Sequence, residues 1–146
     1  MTTVVVGIGQ AAAGDDGVGL IVARLLARRG ITARESADAS VMLALLEADC
    51  RVVLVDAVVG GGGPGSVTLL DVDALASGPT PLSSHGIGVA EAIALASALY
   101  GATCLARIEI VGVAIDRPTG PAIGLSPAVA AAVEPAAMLA AMLAAT

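Results

Sequence analysis

The chain has 146 residues, 57% hydrophobic and 14% charged, with a formal net charge of -6 and a mean hydropathy of +0.93. That length leads us to expect one domain, residues 1–146, able to bury a core without disulfides and too small for separate cofactor and catalytic domains. An acidic balance leaves no basic stripe to displace counterions, and Tyr100 as sole aromatic leaves no base-stacking platform, so nucleic acid is excluded as an expected partner.

All seven basic residues are arginine. Schiff-base chemistry and a phosphate-loop lysine are therefore excluded. No uninterrupted apolar run reaches the ~18 residues of a spanning helix. Ala92–Ala106 is too short, and Pro118–Val133 is broken by Pro118, Pro121 and Pro127. The N-terminus lacks a basic n-region, so neither an export signal nor a membrane partner is expected, and the expected location is the cytoplasm. Cys50 and Cys104 are expected to be reduced, buried small hydrophobes.

Thr3–Ile8 is a β-branched run that reads as a buried strand. Gly14-Asp-Asp-Gly17 has turn and cap chemistry, with Asp15 or Asp16 available to cap the helix that follows. Val18–Arg29 carries apolar residues at 18, 21, 22, 25 and 26, a helical stripe stopped by Gly30. Ile31–Glu35 reads as a second strand, Ser40–Ala48 as a helix and Arg51–Ala57 as a third, fully buried strand. Gly60–Gly65 is a glycine-rich loop, Val67–Leu70 a short strand, Ser77–Ser84 a loop, Gly88–Leu99 a helix and Arg107–Ala114 a strand. After the loop Pro118–Gly124, Ser126 and Pro127 begin a final helix, in which Met138, Leu139, Met142 and Leu143 form the stripe expected to pack on the core. Strands alternating with helices predict an α/β three-layer sandwich: a twisted, mostly parallel sheet with helices on both faces.

In open α/β sheets ligands bind at the carboxyl ends of the strands. Loops at that edge carry Asp15-Asp16, Asp56 and the only histidine, His85. Two carboxylates and an imidazole suit a first-row divalent metal and leave positions for substrate or water. Plainer readings stand beside this one. Either aspartate of the pair serves as a helix cap, and a lone histidine also serves as a cap or surface residue. Asp56 is less easily dismissed, because an acid ending a buried strand is costly without a partner. Ser83 and Ser84 do not form a triad with the adjacent His85, and G-x-S-x-G is absent. A competing constellation is Gly7-x-Gly9-x-x-Ala12 with Glu35 ending the second strand, the dinucleotide fingerprint in its alanine form. Against it, Gly14–Gly17 delays the helix and brings two carboxylates where a pyrophosphate would sit.

Val6-Gly-Ile-Gly9, Asp15-Asp16-Gly17-x-Gly19, Val55-Asp56-Ala57, Pro64-Gly65, Ser84-His85 and Gly124-Leu125-Ser126-Pro127 form an ordered series, from about Val4 to Val129, that resembles the hydrogenase maturation protease family. The resemblance implies an α/β sandwich and a cytoplasmic, metal-dependent endopeptidase of aspartyl type. Such an enzyme removes the C-terminal extension of a nickel–iron hydrogenase large-subunit precursor after nickel insertion. It also implies that the metal-contacting and catalytic positions are Asp16, Asp56 and His85. The nickel would be supplied by the substrate and serve as its recognition element. The chain departs from the family pattern at Gln10, usually Asn, at Ala12, usually a large apolar residue, and over Ser36–Ser40, which replaces a Gly-Thr segment. The alternative is a binding module: a non-catalytic paralogue that senses metallation, or a dinucleotide-binding domain.

Overall fold

The computed structural model describes residues 1–60, 62–77 and 88–146. Five strands form one sheet in the order β2-β1-β3-β5-β4. These are β1 (Thr3–Ile8), β2 (Ala33–Ser36), β3 (Arg51–Val59), β4 (Val67–Leu69) and β5 (Ile108–Ile115). Pairings β1–β2, β1–β3 and β3–β5 are parallel, and only the edge strand β4 runs antiparallel to β5. The expected α/β class is the observed one.

The helices are α1 (Val18–Arg28), α2 (Val41–Glu47), α3 (Val72–Ser77), α4 (Val89–Tyr100), α5 (Pro127–Ala130) and α6 (Val133–Ala144). Strand side chains alternate between two cores. Val4, Val6, Val52, Leu54 and Ile110 pack toward Met42 and Leu46 of α2 and Ile93 of α4. Val5, Val53, Val55, Val111 and Val113 pack toward Val18, Val22 and Leu26 of α1 and the alanines of α6. Burial on both faces is why the central strands read as unbroken apolar runs.

Several expectations are revised. Val72–Ser77 is a helix, and short 3-10 helices occupy Gly14–Gly17 and Ala102–Arg107. The C-terminal helix is two, α5 and α6. Its buried face is Ala136, Ala137 and Ala140, whereas Met138 and Met142 are 59% and 64% exposed. Of the expected stripe, Leu139 and Leu143 pack against the core while the two methionines do not. Methyl side chains let α6 lie close to the sheet and to α1, and the long methionines have no room beneath it. By length and composition Pro127–Ala144 is a stretch apolar enough to cross a membrane, yet its alanine face is packed into the core. Both cysteines are free, Cys104 buried and Cys50 only half-buried.

Candidate active site

The chain order reverses direction between β1 and β3, since β2 lies on one side of β1 and β3 on the other. This switch point is where an open α/β sheet forms its crevice. Glycines bring α1 down onto it. A Cβ on Gly7 would overlap the Gly19 carbonyl, and one on Gly19 would overlap the carbonyl oxygens of Val55 and Ile8. The first turn of α1 therefore rests directly on the end of β1 and the middle of β3. The 3-10 turn just before it carries Asp16 toward Asp56, which lies within β3, three residues before the strand ends at Val59.

The two acids sense each other. Asp56 is raised from 3.8 to about 7, first by burial and then by the negative charge of Asp16. The peptide N–H of Ala57 donates to Asp56 Oδ1 at 2.9 Å and offsets only part of this. Asp16 Oδ2 accepts the peptide N–H of Gln10 at 3.0 Å. Neither carboxylate has an arginine partner among the described residues.

Neither aspartate caps α1. Gly17 occupies the cap position without a side-chain bond. Asp15 instead turns to the far loop, accepting the Ser126 N–H at 2.7 Å and the Ser126 hydroxyl at 2.8 Å. Ser126 spends its hydroxyl there and makes no side-chain cap for α5, although Pro127 does sit in that helix's first turn. Backbone hydrogen bonds of 2.9 Å from Gly14 N–H to the Ala122 carbonyl and from Ala122 N–H to the Ala12 carbonyl complete the clamp. Sequence reading missed this clamp, because residues 111 positions apart leave no local signal.

His85, with Ser83 and Ser84, lies outside the described residues. Of the expected trio, Asp16 and Asp56 are brought together. Among the described residues no group of three or more His, Cys, Asp or Glu could hold a metal.

The dinucleotide fingerprint has a different explanation. The space a Cβ on Gly9 would need is taken by the Asp16 carbonyl. The glycines admit the chain's own turn rather than a pyrophosphate. Glu35, the expected ribose acid, is paired with Arg24 at 2.7 Å. Two departures from the family pattern also touch each other. Gln10 Nε2 donates to the Ala37 carbonyl at 3.1 Å, within the Ser36–Ser40 segment. There Asp38 Oδ1 accepts the Ser40 N–H and hydroxyl at 2.9 and 2.6 Å.

Fold and site together define an α/β protein that brings two aspartates together at its switch point, neither with an arginine partner among the described residues. Over residues 37–142 the chain matches the family model described as HycI, hydrogenase maturation protease. It therefore belongs to the hydrogenase maturation protease family, whose activity is that of a peptidase. Solved structures agree. A [NiFe] hydrogenase maturation protease, HybD from Thermococcus kodakarensis, is 26% identical with a TM-score of 0.72, covering 99% of each chain. The hydrogenase maturating endopeptidase HybD from E. coli is 26% identical with a TM-score of 0.68, over 95% of this chain and 89% of that one. The endopeptidase HycI from Escherichia coli shares the fold, at 22% identity and a TM-score of 0.71, over 94% and 88% of the two chains. No curated protein sequence matches the chain.

Proposed function

We propose that the protein is the cytoplasmic endopeptidase that removes the C-terminal extension from a nickel–iron hydrogenase large-subunit precursor once nickel has been inserted. Asp16, Asp56 and His85 are the groups that meet the metal-bearing substrate. The observation that carries this reading is the Asp16–Asp56 pair, in which burial and mutual repulsion hold Asp56 at about 7. Such a pair is costly while empty and is relieved by a cation. Oxygen donors beside an imidazole suit a borderline divalent ion such as nickel.

The client's nickel, when it reaches these groups, adds a positive charge that polarises a nearby peptide carbonyl. The chain's own residues do the rest. Gln10 holds Asp16 in place through its peptide N–H. Asp56, without an arginine partner among the described residues, is the group that accepts a proton from the attacking water and returns it to the leaving amine. Selectivity for finished clients follows, because a precursor without metal offers no charge to offset the carboxylates.

The test is intact mass after incubation with nickel-loaded large-subunit precursor. The precursor is expected to shorten at its C-terminus with wild-type protein and to stay intact with folded His85→Ala. A precursor that never shortens, tried with every large subunit encoded beside this chain, would sink the reading.

A further inference from the structure

We infer that the groove between residues 10–13 and 118–121 seats the client chain next to the cleaved bond, as a segment of uncharged, mainly apolar residues. This rests on the peptidase reading above. The groove, about 530 Å³, is lined by Gln10, Ala12, Ala13, Pro118, Gly120 and Pro121. Its volume falls in the range of ligand-binding clefts.

Continuity with the carboxylates selects the occupant. Gln10 lines the groove, and its peptide N–H holds Asp16. A chain lying in the groove therefore leads directly to the acid pair. The walls are fixed, because the clamp of Asp15 on Ser126 and the Ala13–Ala122 bridge tie the two loops together. Preformed walls reduce the ordering cost of binding an extended segment.

The lining sets the chemistry of that segment. Among the described residues it contains no charged side chain, and the amide nitrogen of Gln10 is turned to the Ala37 carbonyl. A charged client residue would lose water there without meeting an opposite charge among the described residues. Small side chains at Ala12, Ala13 and Gly120 leave the width for a bulky aliphatic residue. Beside the bridge, Ile123 is 100% exposed, so the fold gains no burial from it. Its position on the loop that forms one wall makes it an apolar contact for the same client segment.

Two variants test this without disturbing the core. Ala12 is exposed, and Ile123 makes no buried contact, so Ala12→Phe and Ile123→Asp are both expected to fold with an unchanged Tm. In steady-state processing of nickel-loaded precursor, each is expected to raise KM about tenfold with kcat within about twofold, the mark of lost binding rather than lost chemistry. Leu99→Asp, a comparable change at an exposed position on α4, is the control and leaves KM as it was. Unchanged KM in both folded variants overturns the inference. Should the wild-type protein leave the precursor uncut, the peptidase reading fails and the groove is judged by fluorescence anisotropy with labelled precursor. Weaker binding by both variants than by wild type then supports it. Equal binding, or none to wild type, overturns it.

Discussion

The acids along the flank of α1 and those at its N-terminal end live under opposite conditions. On the flank, Glu35 meets Arg24 at 2.7 Å and Glu134 meets Arg29 at 2.8 Å, all four side chains well exposed. At the crevice, Asp16 and Asp56 lie close enough to repel, and among the described residues they are met only by peptide N–H groups. Flank acids cost nothing to keep charged in water. Crevice acids are partly desolvated and repel, so their charge works against the fold and is available to a cation. The contrast separates charge that solubilises from charge held ready for a ligand.

Removing one crevice charge breaks the contrast most severely. Asp56→Asn preserves size and an acceptor for the Ala57 N–H, yet it removes the proton acceptor. Precursor processing is expected to fall by roughly 100-fold or more, as for loss of a general base. Stability should move the other way. The folded value of about 7 lies above the unfolded 3.8, so between these pH values the native state holds more protons. The Asp56 contribution to wild-type stability thus falls as pH rises from about 4 to 7, and the variant lacks that loss. At pH 8 Asp56→Asn is expected to be more stable by roughly 4 kcal/mol, a gain that vanishes near pH 4. Urea titrations at both pH values measure it. Equal stability at pH 8 would show that Asp56 is not a strained acid.

Asp15 belongs to neither group. It is an acid whose charge is spent on structure, through two charge-assisted bonds to Ser126 of 2.7 and 2.8 Å. Asp15→Ala is expected to cost about 2 kcal/mol in urea denaturation. It should also raise amide exchange across residues 118–126, the loop that Asp15 clamps. A loss of stability with no change in exchange there would place the role of Asp15 elsewhere.

The parts of this arrangement legible in sequence were those with local or periodic causes. Strands β1, β3 and β5 announce themselves by β-branched runs buried on both faces. Asp56 stood out because an acid ends such a run. The edge strand β2 was placed at Ile31–Glu35 and lies at Ala33–Ser36, since a short exposed strand leaves little periodic signal. Distances along the chain hid the rest. Nothing local pairs Asp15 with Ser126, or shows that Gly7, Gly9 and Gly19 make room for the chain itself. On α6 the expected leucines, Leu139 and Leu143, do pack on the core, but Met138 and Met142 do not, because close approach to the sheet rewards the smallest side chain and the alanines take the innermost places.

The smallest expected effect sharpens the contrast from the flank. Arg29 Nη2 reaches both oxygens of Glu134, at 2.8 and 2.9 Å, and ties the end of α1 to the start of α6. Its geometry looks strong, and its two ends lie 105 residues apart, so it could be taken for a staple. Exposure argues otherwise: the two side chains are 45% and 56% accessible. Water screens their attraction, and ordering two long side chains costs entropy. A double-mutant cycle with Arg29→Ala and Glu134→Ala is expected to give a coupling of about 0.2–1 kcal/mol, smaller still in ~0.5 M salt. A coupling above about 1.5 kcal/mol that resisted salt would mean that flank charges hold the fold together. The distinction between the two ends of α1 would then rest on Asp56 alone.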